Sequence, residues 1–336
     1  MIELHTHLGG AVSPHVQWEI ARQQGIALPW PTFLEFEKAT CAVTGVAGLE
    51  ELNKLYHWSE LIQSSTEAVE RSVYAAASHM YRSQGIDHIE IRWNPSKRNR
   101  GGERDLDAII LAATHGLDRV MSDYPINAGL IVMADRRSTS DLNQIVVEKA
   151  IKFKDRGIIG IDIGGPRYSH GTRYEYAARF GPLVELARDA NLGVTAHVGE
   201  EYLDNEDLES VSAQEMEEVL SLGVDRIGHG IVAAAHPGIM RELVDRDVLL
   251  EVCPSSNLST GMVSAARLSW VLDQLHEHAV KFAVCTDGAQ MYKTSLEGEN
   301  NLVSKLVSWY DTDAKAQTQT WARQASFLSD KVDTDA

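Results

Sequence analysis

Histidine and acidic residues recur at the ends of short apolar runs along this chain of 336 residues. The segments concerned are His5-Thr6-His7, His197-Val198-Gly199-Glu200, Gly228-His229-Gly230 and Thr286-Asp287. In an extended strand, residues i and i+2 point to the same side, so His5 and His7 can converge on one ion. An imidazole from His197 and a carboxylate from Asp287 would complete a set of three nitrogens and one oxygen. Such a set with an open position is typical of a catalytic zinc ion, and iron or manganese could also occupy it.

Two further residues could supply proton chemistry beside such an ion. Zinc lowers the pKa of a bound water to about 7, which makes hydroxide available at neutral pH. His229 lies between two glycines that would let a substrate approach closely, and it is the candidate that orients or deprotonates the water. Glu200 follows the candidate ligand His197 by three residues and is the candidate acid. The alternative for Glu200 is an exposed loop carboxylate, because Glu201 stands next to it.

A second pair of histidines with the same spacing provides an internal comparison. His276 and His278 lie in Val271–His278, which has the periodicity of a helix. Residues i and i+2 of a helix do not face each other. We therefore expect this pair to lie at a solvated helix end, so that only the strand context makes His5 and His7 a candidate ligand pair.

The segments that must position these residues are short β-branched runs separated by longer amphipathic stretches. Eight such runs predict strands over Ile2–His7, His88–Trp93, Ala128–Ala134, Ile158–Ile163, Gly193–Val198, Arg226–Gly230, Val248–Cys253 and Phe282–Thr286. Strands that alternate with helices imply a parallel sheet, and catalytic groups of a closed barrel collect at the carboxyl ends of its strands. The expected fold is an α/β, TIM-like (β/α)₈ barrel. Periodicity alone also allows an open doubly wound sheet, but no GxGxxG follows the first strand.

The connection between the first and second strands is unusually long. It predicts a helical insertion over about residues 12–86, with helices at Pro14–Gln24, Thr32–Lys38, Gly48–Ser64 and Thr66–Gln84. An insertion at this position is expected to form a lid or a pocket wall over one face of the barrel. No Pro- or Ser-rich linker, charge run or repeat marks a boundary, so residues 1–336 are expected to form a single domain.

The composition limits the classes of partner. The 31 Lys and Arg residues against 48 Asp and Glu residues give a net charge of −17, which argues against nucleic-acid binding and against binding to an anionic membrane surface. No apolar run approaches the ~20 residues of a membrane helix, and the first residues lack the features of a signal peptide. Three cysteines without a CxxC disfavour a disulfide framework, and Cys253 and Cys285 are expected in the core. The expected partner is a small-molecule substrate of a cytoplasmic protein whose oligomeric state the sequence leaves open.

Several of these segments resemble the motifs of one known family. Glu3-Leu4-His5-Thr6-His7-Leu8-Gly9-Gly10-Ala11 resembles the ELHxHLDGA opening of the adenosine deaminase family, within the amidohydrolase superfamily. His197–Glu200 is similar to its HAGE motif, Arg226–Gly230 to RIGHG, Glu251–Asn257 to ECCPxSN, Thr286-Asp287 to the start of TDDP, and Ala325–Leu328 to ASFL. These motifs occur in order along about the whole chain.

The resemblance implies a (β/α)₈ barrel with one zinc ion that catalyses hydrolytic deamination of a 6-aminopurine. By position, it implies zinc ligation by His5, His7, His197 and Asp287. Glu200 would protonate the ring nitrogen beside the attacked carbon, and His229 would orient the attacking hydroxide. Substrate contacts are implied for His7 and for the backbone N–H of Gly165. The fourth predicted strand ends without the lysine that many binuclear relatives use, which favours one metal ion.

Three departures from the family pattern concern the substrate. Gly9 replaces the aspartate that meets the ribose 5′-hydroxyl in the family, and Gly288 replaces the aspartate that meets purine N7. Pro166-Arg167 stands where an acidic pair is expected after Gly165. The two glycines would make space, which predicts a larger or differently substituted aminopurine or a related N-heterocycle. Arg167 could meet an anionic group of the substrate, and the alternative is a salt bridge at the barrel rim.

Two other functions are compatible with the same residues. A barrel with this metal set could hydrolyse an amide, a cyclic imide or an ester rather than release ammonia from an exocyclic amine. A non-catalytic family relative would bind a ligand without turning it over. The presence of Glu200 and His229 argues against the second alternative, because a pure binding protein needs neither an acid nor a base.

Overall fold

The structure is a computed structural model, and it describes residues 1–42, 49–100, 104–165, 175–200, 206–261 and 263–328. Arg167 and its neighbour Pro166 lie outside the described residues, so the prediction for Arg167 stays a prediction.

Eight parallel strands pair in chain order around one sheet, so the predicted (β/α)₈ barrel is confirmed. The strands are β1 (Ile2–His7), β2 (His88–Trp93), β3 (Asn127–Asp135), β4 (Ile158–Gly164), β5 (Gly193–Val198), β6 (Arg226–His229), β7 (Leu249–Val252) and β8 (Phe282–Val284). All eight predicted strands are present, with ends that differ by at most two residues.

The barrel closes between its last and first strands, just beyond the end of β8. Thr6 and Asp287 form a parallel bridge. The amide of His7 donates to the carbonyl of Asp287 over 2.7 Å, and the amide of Asp287 donates to the carbonyl of His5 over 2.8 Å. The open doubly wound sheet is therefore excluded, and the closure places His5, His7 and Asp287 side by side.

The helices surround the barrel and supply the insertion after β1. They are α1 (Leu8–Ala11), α2 (Pro14–Gln23), α3 (Phe33–Thr40), α4 (Leu49–Ile62), α5 (Thr66–Gln84), α6 (Leu106–Asp123), α7 (Ser140–Lys152), α8 (Tyr176–Asp189), α9 (Glu206–Ser221), α10 (Pro237–Asp245), α11 (Pro254–Ser259), α12 (Ala265–Glu277), α13 (Leu296–Leu306) and α14 (Thr312–Gln324), with 3₁₀ turns at Pro95–Lys97, Lys154–Arg156 and Ile231–Ala235. The four predicted insertion helices correspond to α2 to α5. Local signals explain their starts, since Ser13, Thr32 and Ser65 cap α2, α3 and α5 through their side chains.

The interior of the barrel is charged rather than apolar. Arg226 is fully buried and donates to Glu251 over 2.7 Å and to Glu90 over 2.6 Å. Arg92, equally buried, donates to the other oxygen of Glu251 over 2.7 Å. The strands bury their apolar side chains on the outer face, against the helices, so the period-two alternation places charged residues inside. Arg92 and Arg226 thus each have carboxylate partners inside the barrel, which offset the cost of their burial.

The residues after α14 close the amino-terminal end of the barrel. Phe327 lies under the guanidinium of Arg226, with 3.6 Å between the guanidinium carbon and the ring centre. Its backbone amide donates to Glu90 over 2.6 Å. A Cβ on Gly193 at the start of β5 would lie 2.3 Å from the Phe327 ring, so a glycine is required there.

Among the described residues, no helix is both long enough and apolar enough to cross a membrane. His276 and His278 lie at the exposed end of α12, as expected. Cys253 and Cys285 are buried, also as expected, and neither forms a disulfide.

Candidate active site

Four side chains from two strands, β1 and β5, and from the segment after β8 converge inside the carboxyl end of the barrel. Nε2 of His7 lies 3.0 Å from Nε2 of His197 and 3.3 Å from Oδ1 of Asp287. Nε2 of His5 lies 3.7 Å from the same oxygen, and within the described part of the chain this buried nitrogen has no hydrogen-bond partner. The three imidazoles each offer a ligand atom within 4.8 Å of the others. The structure thus brings the four sequence-predicted ligands together, with an unpartnered buried nitrogen directed at the place that they share.

Two of the imidazoles are oriented by carboxylates that contact Nδ1, on the side of the ring away from the converging Nε2 atoms. Nδ1 of His5 lies 2.8 Å from Oε2 of Glu251, and Nδ1 of His197 lies 3.0 Å from Asp162. A carboxylate that accepts from Nδ1 places the ring proton there and leaves the lone pair on Nε2, which faces the shared position. This arrangement of carboxylate, histidine and metal is typical of protein metal sites.

The protonation state of the imidazoles also suits the binding of a metal ion. Burial lowers the pKa of His5, His7 and His197 well below the ordinary value of histidine, and the positive charge of Arg92 lowers it further. Neutral imidazoles keep the Nε2 lone pair that a metal ion needs. Burial raises the pKa of the Asp287 carboxyl.

Two site residues have a left-handed backbone conformation, with positive φ, that residues other than glycine rarely adopt. His229 has a φ of 62° and Asp287 a φ of 58°. Such a conformation costs about 1–3 kcal/mol at each residue, and it persists because the surrounding contacts require it. At both residues it turns the chain at the carboxyl end of a strand, where the side chain faces the barrel axis.

Glu200 and His229 are neighbours beside the histidine cluster. Nε2 of His229 lies 3.2 Å from Oε2 of Glu200, and Nδ1 of His229 lies 3.3 Å from Nδ2 of Asn257. Because an amide nitrogen donates, Nδ1 accepts and the ring proton resides on Nε2, toward the glutamate. Glu200 is partly buried and is also 3.4 Å from the guanidinium of Arg136, so it is held within the cavity rather than free in solvent.

Gly165 follows the end of β4 and lies against β3. Its φ is +90°, and a Cβ there would lie 2.7 Å from the Asp135 carboxylate. Arg136 donates from Nε to the Gly165 carbonyl over 2.8 Å. Only glycine fits this close approach of the two strand ends, which leaves its backbone open to the cavity.

The open space expected at Gly9 and Gly288 is not present. A Cβ at Gly9 would lie 2.7 Å from the Ser59 hydroxyl and 3.0 Å from the ring of Tyr56, because α4 covers this position. A Cβ at Gly288 would lie 3.1 Å from the Cα of Gly10, because the two backbones are in contact. The glycines therefore permit close packing of the insertion and of the segment after β8 against α1. Gly9 still borders the cavity.

The cavity at this end has a volume of about 380 Å³, which is within the range of small-molecule sites. Its wall includes Tyr56, His57 and Glu60 of α4, so the insertion forms part of the pocket wall, as expected. Its lining also includes the following sequence-predicted residues: His7, Gly9, Gly165, His197, Glu200, His229 and Asp287.

A second group of possible ligands overlaps the first. His5, His229 and Cys253 also offer donor atoms within 4.8 Å of one another. Burial raises the pKa of the Cys253 thiol well above its ordinary value, and the nearby carboxylate of Asp287 raises it further. A protonated thiol is a poor ligand, so the three-histidine group is the better candidate.

The residues that support the candidate ligands were not predicted from the sequence. Asp162 and Glu251 lie in segments with recognisable motifs, yet their contacts with His197 and His5 were not anticipated. The available signal was a charged residue in the middle of an otherwise apolar strand. Asn257 and Arg136 carry no such signal, because each follows the end of its strand.

Known proteins have sequences and a structure similar to those of this chain. A family model described as adenosine deaminase matches residues 1–335. An aminodeoxyfutalosine deaminase of Acidothermus cellulolyticus is 31% identical over 305 residues, which cover 91% of this chain and 82% of the relative. An adenosine deaminase of Enterococcus faecalis is 27% identical over 335 residues, which cover 98% and 92%.

A solved structure has the same fold. The adenine deaminase of Arthrobacter aurescens matches with a TM-score of 0.82 at 22% identity, over 98% of this chain and 94% of that one. The family match spans nearly the whole chain and agrees with the motifs at the strand ends. This chain therefore belongs to the adenosine deaminase family, whose members deaminate aminopurine-like substrates by hydrolysis.

Proposed function

We propose that this chain is a zinc-dependent hydrolytic deaminase that holds one zinc ion. Its substrate would be an aminopurine nucleoside, an aminopurine base or a related amino-N-heterocycle, and ammonia would be released. The observation that carries the proposal is the convergence of three neutral imidazoles and one carboxylate beside the Glu200–His229 pair.

The donor set fits the proposed ion. His5, His7 and His197 would bind it through Nε2 and Asp287 through a carboxylate oxygen, a set of nitrogen and oxygen donors that suits zinc. The unpartnered Nε2 of His5 supports this assignment, since a buried polar atom without a partner is costly. One ion is the simpler count because, within the described part of the chain, the second possible donor group shares His5 with the first.

When bound, zinc acts as a Lewis acid and lowers the pKa of water to about 7, so that hydroxide is available at neutral pH. His229 carries its ring proton on Nε2 and can donate it in a hydrogen bond that fixes the position of the nucleophilic oxygen. Glu200 donates a proton to the ring nitrogen beside the attacked carbon. A carbon–oxygen bond forms, the bond to the exocyclic nitrogen breaks and that nitrogen leaves as ammonia after gaining a proton. One water is consumed for each ammonia.

The contacts with the substrate would differ from those that the family pattern implies for adenosine. Neither Gly9 nor Gly288 offers a side-chain acceptor, and Tyr56 and Ser59 of α4 cover the first of these positions. Relatives are named for activity on adenosine and on aminodeoxyfutalosine, and both compounds belong in a test panel.

The test is ammonia release by the zinc-loaded protein from adenosine, 2′-deoxyadenosine, adenine, AMP, N6-substituted adenines and aminodeoxyfutalosine. Glu200→Gln serves as the matched variant, because it keeps the size of the side chain and removes the transferable proton. We expect release from at least one compound and a loss of about 10²–10⁴-fold in the variant. Absence of release from every compound, with zinc bound, would contradict the proposal and favour an amide or cyclic-imide hydrolase or a binding protein.

A further inference from the structure

Arg98 is a buried arginine in the cavity wall, and it has no carboxylate partner among the described residues. It follows the 3₁₀ turn after β2, its exposed fraction is 3%, and it lines the cavity. Its Nε and Nη1 are buried and have no hydrogen-bond partner among the described residues. Burial of a guanidinium without a hydrogen-bond partner costs free energy. Its presence in the cavity wall therefore indicates a ligand that supplies the partner.

Other buried arginines of this chain provide the comparison. Arg92 and Arg226 are fully buried, and each has two carboxylate partners within 3.4 Å. Arg136 lies 3.4 Å from Glu200. Arg98 forms no salt bridge with a carboxylate of the described residues, although it is as buried as Arg136. Arg92 and Arg136 also line the cavity, so in the described part of the chain Arg98 is the buried cavity arginine that lacks a carboxylate partner.

The surroundings of Arg98 add positive charge. Arg100 lies 3.9 Å from Glu60 and also lines the cavity. Lys97 lies 2.6 Å from Asp135 and 3.6 Å from the same Glu60. Three cations thus face two carboxylates at this part of the wall, in a chain whose net charge is −17.

The guanidinium remains charged at neutral pH. Burial lowers the pKa of Arg98 to about 10, with Glu60 acting in the opposite direction and Arg100 in the same one. Arg98 therefore offers hydrogen-bond donors with a full positive charge, in a fork that matches the planar oxygens of a carboxylate or the oxygens of a phosphate.

We propose that Arg98, with Arg100 beside it, binds an oxyanion of the substrate, a phosphate or a carboxylate group attached to the aminopurine compound. The inference rests on the proposed deaminase function, since the same cavity holds Glu200 and the candidate metal ligands. It makes the preferred substrate an anionic aminopurine compound rather than neutral adenosine.

Binding of deamination products tests the proposal without turnover. The zinc-loaded protein is titrated calorimetrically with inosine, with IMP and with inosine 5′-carboxylate, so that the two anions are distinguished. We expect at least one anion to bind about 10-fold or more tightly than inosine. Arg98→Met should weaken anion binding by about 10-fold or more, so that the preference is lost, and leave inosine binding nearly unchanged. Arg98→Lys should restore part of the difference, because it keeps the charge without the fork.

Two more variants keep the test decisive. Arg241→Gln removes an exposed arginine on α10 and should change nothing, which controls for the change in overall charge. Arg100→Gln alters a partly exposed side chain, should reduce the preference for the anion severalfold, and decides the matter if Arg98→Met does not fold. The proposal would be overturned if the natural protein bound inosine and both anions equally. It would also be overturned if neither Arg98→Met nor Arg100→Gln reduced the preference for the anion.

Deamination rates then separate this inference from the proposed function. Ammonia release from adenosine and AMP with equal kcat/KM, unaffected by Arg98→Lys, would overturn the anion site and leave the deaminase intact. Selective binding of anions through Arg98 without any ammonia release would support the anion site and contradict the deaminase.

Discussion

Arg92 donates from Nη2 to Oε2 of Glu251 over 2.7 Å, and this is the same oxygen that lies 2.8 Å from Nδ1 of His5. The other terminal nitrogen of Arg92 lies 3.4 Å from Asp162, which orients His197. One buried guanidinium therefore joins the two carboxylates that orient two candidate metal ligands. The charged barrel interior and the candidate metal site form one continuous network.

Asp162→Asn should weaken metal binding because it alters the group that orients His197. We expect zinc affinity to fall by about 10–100-fold, with the fold retained. Competition with a chromophoric chelator measures the affinity, and circular dichroism checks the fold. Glu299→Gln is the matched control, a buried carboxyl that does not contact the candidate ligands. Equal affinity of the natural protein and the Asp162 variant would show that His197 needs no such partner.

Asn257→Ala should reduce turnover without loss of the metal ion. The Asn257 amide lies 3.3 Å from Nδ1 of His229, so the variant releases the imidazole from its fixed tautomer and orientation. We expect kcat to fall by about 10-fold or more, with KM and zinc content nearly unchanged. Steady-state kinetics together with zinc analysis give the three values. A parallel loss of zinc would instead assign Asn257 a structural role.

Gly288→Ala should destabilise the protein because a Cβ would press on the backbone of Gly10 at 3.1 Å. We expect the free energy of unfolding to fall by about 1–3 kcal/mol. Gly238→Ala is the matched control, since a Cβ there meets nothing within 4 Å and the residue lies in α10. The control should be neutral or stabilising by up to about 1 kcal/mol. Urea unfolding measures both variants, and similar values for the two would contradict the close contact.

Glu299→Gln should change how stability depends on pH. Burial raises the pKa of the Glu299 carboxyl above the ordinary value of 4.5, and its Oε1 has no hydrogen-bond partner among the described residues. A raised folded-state pKa means that the contribution to stability is fully present below pH 4.5 and is lost as the pH rises through the folded pKa. The free energy of unfolding of the variant, relative to the natural protein, should therefore increase with pH above 4.5.

Denaturant unfolding over a pH series checks this expectation. Glu297→Gln, an exposed position on the same helix, should give a difference from the natural protein that varies little with pH. If the two variants show the same pH dependence, burial of Glu299 has no effect on its titration.

Much of the fold follows from the sequence alone. The eight strands and the helices of the insertion were predicted within a few residues, because hydrophobic periodicity and capping residues act locally. The meeting of His5, His7, His197 and Asp287 also follows from the sequence, since strand ends of a parallel barrel lie at one face.

Contacts between distant segments are decided only by the tertiary structure. Glu251 meets His5 across 246 positions of the chain, and Arg92 meets Glu251 across 159. The expected space at Gly9 and Gly288 is filled by α4 and by the Gly10 backbone, because what packs over a glycine depends on the path of other segments. For the same reason, the sequence shows that Arg98 is charged, whereas only the folded chain shows that it is buried beside the cavity without a carboxylate partner among the described residues.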